Sequence, residues 1–106
     1  MMKMKGLVLT VSAVLSLGVM GSAAAADGAA LYKAKTCFSC HGQDAKTPIM
    51  PTYPKLAGQN ADYAYNQMMD IKSGARSNGQ SAAMKGIMAN VSAEEAKAIA
   101  EWISTL

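Results

Sequence analysis

Apolar residues in the middle of the chain recur every three or four positions, which is the spacing of one face of an α-helix. Ala64, Met68 and Ile71 form such a stripe in the segment that Asn60 precedes and Gly74 follows. Asparagine is favoured just before the first turn of a helix, and glycine just after the last turn. The pattern therefore predicts an amphipathic helix between these two residues.

A second apolar stripe runs along the carboxyl-terminal end, with the single tryptophan, Trp102, beside it. Its members, again at helical spacing, are Ala96, Ile99, Ile103 and Leu106. Ahead of the stripe, Ser92 and Glu95 have the spacing of a capping box, in which the serine caps the first turn and the glutamate reaches back to the serine amide. We therefore predict a terminal helix that begins after Ser92.

The region around these two helices predicts one further helix and two loops. Asp27 can cap a helix that runs through Gly28, Leu31 and Tyr32 into the segment that holds the cysteines. Residues 42–58 contain three prolines and two glycines, and residues 76–83 are polar and glycine-containing, so both predict loops. Because no segment alternates convincingly in the way of a strand, the predicted fold class is all-α.

The amino terminus has the pattern of a secretory signal peptide. Lys3 and Lys5 give it a positive start, residues 6–20 are apolar, and residues 24–26 are alanines of the Ala-x-Ala type. The apolar run of about 15 residues is shorter than the roughly 20 that span a bilayer. We predict a signal peptide at residues 1–26 and one mature domain at residues 27–106, with no membrane span after cleavage.

Removal of the signal peptide changes the overall composition. Two of the ten basic residues are lost and all seven acidic residues remain, so the mature chain is close to neutral. The remaining basic residues are scattered rather than clustered, which excludes a nucleic-acid footprint. About 80 residues form a small domain whose own hydrophobic core is marginal. A bound cofactor would supply the missing apolar mass.

Residues 37–41, Cys-Phe-Ser-Cys-His, use both cysteines and the only histidine of the 106 residues. Cys-x-x-Cys-His is the attachment pattern of c-type haem, in which Cys37 and Cys40 form thioether bonds and His41 binds the iron. Three alternatives use the same residues: a thioredoxin-like redox pair, which expects a βαβ surround, a zinc site, which needs a fourth ligand, and a plain disulfide. The disulfide would leave His41 without a role.

The order of these segments resembles class I cytochromes c, and the resemblance covers residues 27–106. Its weaker motifs are Leu31-Tyr32-Lys33-Ala34-Lys35-Thr36 before the haem motif, Tyr53-Pro54-Lys55-Leu56-Ala57-Gly58-Gln59, Ile71-Lys72-Ser73-Gly74, a late methionine, and a terminal helix with Trp102. The chain is most similar to single-haem periplasmic cytochromes and to one half of their dihaem relatives. The resemblance implies a small cytochrome c fold, with three or more short helices around one covalently bound haem c (heme c), located in the periplasm.

The resemblance also implies roles for individual residues. Pro54 stands where the family has a proline whose carbonyl accepts a hydrogen bond from the proximal histidine, here His41. Such a bond fixes the orientation of the imidazole and raises its basicity toward iron. Gly28 and Tyr32 correspond to residues of the first helix that pack against the last helix, near Ile99 and Trp102. Trp102 itself is interpreted as a core aromatic without a role in electron transfer.

Five methionines follow residue 26, and the family's His/Met ligation implies that one of them is the sixth iron ligand. Met68 and Met69 lie in a predicted helix and favour packing, whereas Met50 is only nine residues beyond the histidine. Met84 and Met88 precede the last helix, where family members carry the ligand. Met84 matches the dihaem relatives best, so we predict axial ligation by His41 and Met84, with Met88 as the alternative.

His/Met ligation leaves no open position on the iron, so the predicted protein is a single-electron carrier rather than an enzyme. A thioether ligand favours ferrous iron and raises the reduction potential. Redox proteins are expected to dock transiently at the haem edge, near Phe38 and Ser39. Two alternatives stay open: a gas sensor or peroxidase with an open sixth position, and a haem subunit of a larger dehydrogenase.

Overall fold

The computed structural model describes residues 27–106, so the predicted signal peptide lies outside the described residues. Within this range the chain is all-helical, as predicted, and contains no β-strand. The helices, in chain order, are α1 (Gly28–Ala34), α2 (Phe38–His41), α3 (Ala61–Ser73), α4 (Ser81–Met88) and α5 (Ala93–Ser104). None of them is long and apolar enough to cross a membrane.

Helices α1 and α5 pack closely because a glycine lies at their crossing. A Cβ atom added to Gly28 would lie 2.6 Å from the Trp102 Cβ and would collide with the Ala98 carbonyl oxygen. One turn later, the Tyr32 and Trp102 rings lie 5.0 Å apart between centroids, in a tilted arrangement. This is the contact between the first and last helices that the resemblance implied.

The hydrophobic core lies mainly between α3 and α5. Ile71 contributes from α3, Ile99 and Ile103 from α5, and Val91 from the connection before α5. Each of these side chains is at most 4 % exposed. The predicted apolar stripes therefore face each other, with one exception: Leu106 lies beyond the end of α5 and is 39 % exposed.

The predicted helix caps are present as hydrogen bonds. The Asn60 side chain accepts from the Tyr63 amide at 2.9 Å, and Gly74 ends α3 in the left-handed conformation at φ 91°. Ser92 and Glu95 form both bonds of the capping box, at 3.1 and 2.9 Å. These caps satisfy amide groups that a helix end leaves without internal partners.

Two predictions of secondary structure were wrong. Helix α1 does not run into the cysteines: it ends at Ala34, and Thr36 adopts a positive φ of 64° before the one-turn helix α2 begins. The predicted loop 76–83 ends early, because α4 begins at Ser81. Ala82, Ala83, Met84 and Lys85 are strong helix formers, and they outweigh Gly86 in the helix interior.

Residues 42–58 form the irregular loop that the prolines predicted, and backbone hydrogen bonds fix its course. The carbonyl of Ala45, a residue with no exposed surface, accepts from the amides of Leu56 and Ala57 at 2.9 and 3.0 Å. The Gly58 amide then donates to the Ile103 carbonyl of α5 at 2.9 Å. The loop is thereby held against the core, with Pro54 at a defined position.

Candidate haem-binding site

A cavity of about 460 Å³ lies beside the core and is lined by residues from all five helices, α1 to α5. Its volume falls within the range of about 300–1,000 Å³ that is usual for cofactor sites. Both cysteines and the histidine line it. The apolar residues of its wall include Leu56, Met68, Ile71, Met84, Ile87, Met88, Val91, Ile99 and Ile103.

Helix α2 presents the two cysteines and the histidine together. The His41 amide donates to the Cys37 carbonyl at 3.0 Å, so the three residues lie on one helical turn, and the Cys37 amide is held by the Tyr32 carbonyl at 3.0 Å. Burial raises the pKa of the Cys37 thiol, which keeps it in the neutral form. Cys40, like Cys37, is partly exposed and lines the cavity.

The His41 ring is oriented by a hydrogen bond to Pro54, the residue to which the family resemblance gave this role. Its Nδ1 atom lies 2.9 Å from the Pro54 carbonyl oxygen. Because a carbonyl only accepts, Nδ1 carries the proton of this bond, and Nε2 has the free lone pair that a metal needs. His41 is 5 % exposed and lines the cavity, so its ring is held there with Nε2 as the nitrogen left to bind a metal.

Tyr32 fixes the backbone immediately after the histidine. Its hydroxyl donates to the Gly42 carbonyl at 2.6 Å, and burial raises the pKa of the Tyr32 phenol. Gly42 has a φ of 91°, a conformation that glycine adopts without steric cost. The bond joins α1 to the start of the loop and stabilises the turn that directs the chain from His41 toward Pro54.

Three of the methionines line the cavity: Met68, Met84 and Met88. Met50 does not, and its side chain is 45 % exposed. Met88 is 2 % exposed and belongs to the core cluster, whereas Met84 keeps part of its surface accessible. The structure therefore brings both Met84 and Met88 to the cavity that holds His41, with different degrees of engagement in the core.

A family model of cytochrome c matches residues 25–106. The chain belongs to the cytochrome c family. It is a class I cytochrome c, and its cofactor is a covalently bound haem c with iron.

Relatives of two different lengths match this cytochrome. It is 36 % identical over 99 residues to cytochrome c-553 of Nitratidesulfovibrio vulgaris, covering 93 % of this chain and 94 % of the relative. It is 41 % identical over 99 residues to cytochrome c4 of Pseudomonas aeruginosa, covering 92 % and 47 %. A thiosulfate dehydrogenase electron acceptor of Stutzerimonas stutzeri is 36 % identical over 110 residues, covering 97 % and 50 %.

The cytochrome thus spans about half the length of the longer relatives, in agreement with the predicted similarity to one half of a dihaem cytochrome. The match to cytochrome c-553 is nearly complete on both sides. Membership of the cytochrome c family supports an electron-carrier role for this chain.

The residues around the cavity fit a haem group. Two thiols on one helical turn suit the vinyl groups of a haem, and the oriented imidazole and the methionine thioethers suit its iron. The apolar wall suits the macrocycle. Two cations that sequence reasoning did not assign, Lys55 and Arg76, also line the cavity, where they can offset the charge of the two propionates. Gln67 orients Arg76, since its Oε1 accepts from the guanidinium at 3.0 Å.

Proposed function

We propose that this cytochrome is a periplasmic single-electron carrier with His41 and Met84 as the axial ligands of its haem iron. The observation that carries the proposal is the convergence of both thiols, the imidazole and the Met84 side chain on one cavity. When bound, the haem supplies a one-electron couple between ferrous and ferric iron. No position on the iron is then open to a substrate, so the protein performs no bond chemistry of its own.

Different residues attach the cofactor covalently, bind its iron and orient the iron ligand. Cys37 and Cys40 form the thioether bonds, and α2 keeps their sulfurs beside the proximal imidazole. The Pro54 carbonyl accepts a hydrogen bond from Nδ1 of His41, which limits rotation of the ring and makes Nε2 a stronger ligand for iron. A fixed ligand set limits the change in geometry between the two oxidation states, and a small change favours rapid electron transfer.

Met84 is the better sixth ligand because its side chain packs against the core cluster while staying partly exposed, whereas Met88 is a buried member of that cluster. Met88 is 2 % exposed and packs among the buried core residues. If its side chain left the core to bind the iron, a cavity would remain there. Met84 keeps accessible surface while lining the same cavity.

We further propose that residues 1–26 direct export and are removed, which leaves residues 27–106 in the periplasm. The support is the charge and apolar pattern of the amino terminus, together with the match of the family model from residue 25 onward. The mature chain then begins at Asp27, whose side chain caps α1 by accepting from the Ala30 amide at 3.2 Å. Cleavage at this point keeps the first helix intact.

The partners are redox proteins that dock transiently at the exposed face of α2. Ser39 is exposed there, between the two cysteines, and Phe38 is partly exposed. One relative is an electron acceptor of a thiosulfate dehydrogenase. This similarity makes an oxidoreductase a suitable class of electron donor for the present chain. Small contacts are typical of electron-transfer encounters, which must form and separate quickly.

The axial ligand is tested with a matched pair of methionine variants. Met84→Ala should abolish the methionine charge-transfer band of the ferric protein and lower the reduction potential, because a soft sixth ligand is lost. Met88→Ala should keep the band and lower the free energy of unfolding by about 2–5 kcal/mol, as expected for a buried side chain. The opposite result, with the band lost only in Met88→Ala, would assign the ligand to Met88.

A further inference from the structure

The ammonium group of Lys72 binds two backbone carbonyls at the end of the methionine-bearing helix. Its Nζ atom donates to the Met88 carbonyl at 2.9 Å and to the Val91 carbonyl at 2.6 Å. Both bonds are partly buried, and the lysine itself lies on α3. A charged donor makes a stronger hydrogen bond than a neutral one, and more so away from bulk water.

A second lysine, near the amino-terminal end of the described chain, binds the same stretch of backbone. Lys35, the residue just after α1, donates to the Asn90 carbonyl at 2.8 Å. Its Nζ atom also lies 3.4 Å from the Glu95 carboxylate in the first turn of α5. Residues 88–91, here named the 88–91 turn, are therefore tied to α1, α3 and α5.

The 88–91 turn forms part of the cavity wall. Met88 and Val91 both line the cavity and are 2 % and 1 % exposed. The Lys72 bonds act on the carbonyls of these same two residues, so they fix the backbone that carries this wall. A cation at the carboxyl end of α4 also interacts favourably with the helix dipole.

Met84 lies one turn of α4 before Met88, so the position of its thioether depends on where α4 ends. Of the side chains on α3, Lys72 is the one that hydrogen-bonds this end within residues 27–106. Groups that hold a metal ligand in place commonly change metal affinity by about 10- to 100-fold when they are removed. A lysine on a neighbouring helix is therefore suited to this supporting task.

We infer that Lys72 is a positioning residue for the sixth iron ligand: it anchors the end of α4 and thereby holds Met84 against the iron. This inference rests on the proposed His41/Met84 ligation. It adds that the strength of the methionine bond is set from α3, by a residue that does not itself line the cavity. A general loss of stability would not by itself change ligand exchange at the iron.

The test is imidazole binding to the ferric holoprotein, since imidazole binds by displacing the methionine. For Lys72→Met we expect an imidazole affinity about tenfold above the wild type, the lower end of the effect of a supporting group, and a weaker methionine charge-transfer band. The matched control is Lys85→Met on α4, which removes the same charge. Within residues 27–106 the ion pairs are Lys35–Glu95 and Lys97–Glu101, and the Lys85 ammonium makes neither an ion pair nor a hydrogen bond, so wild-type affinity is expected.

An imidazole affinity of Lys72→Met equal to that of the wild type, with only the unfolding midpoint lowered, would show a merely structural role and overturn the inference. An equal rise in Lys85→Met would overturn it too, because charge alone would explain the change. If Lys72→Met does not retain a folded holoprotein, Lys72→Gln carries the same test with the same expected direction. A wild type without the charge-transfer band would instead contradict the proposed ligation, and the inference would fail with it.

Discussion

Replacement of Gly28 by alanine tests whether the contact between α1 and α5 depends on the absence of a side chain. The added Cβ would collide with the Ala98 carbonyl and lie 2.6 Å from the Trp102 Cβ. One obstacle is a backbone carbonyl and the other is a Cβ atom, so neither can move away by a change of side-chain rotamer. The two helices must separate, which also disturbs the Tyr32 and Trp102 rings at 5.0 Å.

The size of the effect follows from two opposing contributions. Overpacking at a tight contact costs about 1–3 kcal/mol, and the upper end applies because the obstacle cannot move. Alanine recovers up to about 1 kcal/mol through its better helix propensity. The net expectation is a loss of about 2 kcal/mol in the free energy of unfolding. In a domain of this size that loss lowers the melting temperature by about 8–16 °C.

The assay is denaturant and thermal unfolding of the holoprotein, with Gly86→Ala in α4 as the matched control. Among residues 27–106, nothing lies within 4 Å of a Cβ added at Gly86, so the same substitution should stabilise there by about 0.5–1 kcal/mol. The slope of the denaturant curve should stay unchanged in both variants. If Gly28→Ala were as stable as Gly86→Ala, the close packing of α1 on α5 would be refuted.

Three further predictions concern the last helix and the mature chain. Ser92→Ala should lower the free energy of unfolding by about 1 kcal/mol, since it removes the side-chain acceptor of the Glu95 amide, and a loss near zero in chemical unfolding would contradict the cap. The pKa of Glu95 is lowered mainly by the hydrogen bond that its carboxylate accepts from the Ser92 amide, and to a smaller extent by the positive charge of Lys35. The contribution of the Glu95 carboxylate to the free energy of unfolding is therefore complete above the pKa of an unfolded glutamate, about 4.3. It is lost as the pH falls through the lower pKa of the folded state. The stability difference between wild type and Glu95→Gln should shrink over that acidic window, and a pH-independent difference would refute this assignment. Mass spectrometry of the exported protein should give residues 27–106 plus one haem, and a mass that retains residues 1–26 would contradict the predicted cleavage.

Much of the fold could be predicted because local signals and the packed structure agree. Asn60, Gly74 and the Ser92–Glu95 pair mark helix ends through short-range hydrogen bonds, which sequence spacing reveals directly. The break at Thr36 had no such signal. A positive φ in a threonine is set by the surrounding contacts, here the bond from the Cys37 amide to the Tyr32 carbonyl.

In the candidate site, too, the residues that are adjacent in the sequence could be predicted from their spacing, whereas the contacts between distant residues could not. Cys37, Cys40 and His41 are adjacent in sequence, so their chemistry could be inferred from spacing alone. The Pro54 contact was available only through the family resemblance, since 13 positions separate its two partners. The Lys72 bonds cross 16 and 19 positions and end on backbone carbonyls, which any residue type provides. No pattern of residue types predicts such a contact, and a folded structure is required to find it.

The central claim is a haem iron held by His41 and a methionine, with no coordination position left for a substrate. The most direct measurement is the optical spectrum of the purified wild-type holoprotein, oxidised and reduced, before and after addition of carbon monoxide. We expect a low-spin haem with a methionine charge-transfer band in the ferric form and a ferrous spectrum that carbon monoxide leaves unchanged at neutral pH. A high-spin ferric spectrum without this band, together with ready binding of carbon monoxide, would contradict the assignment as an electron carrier.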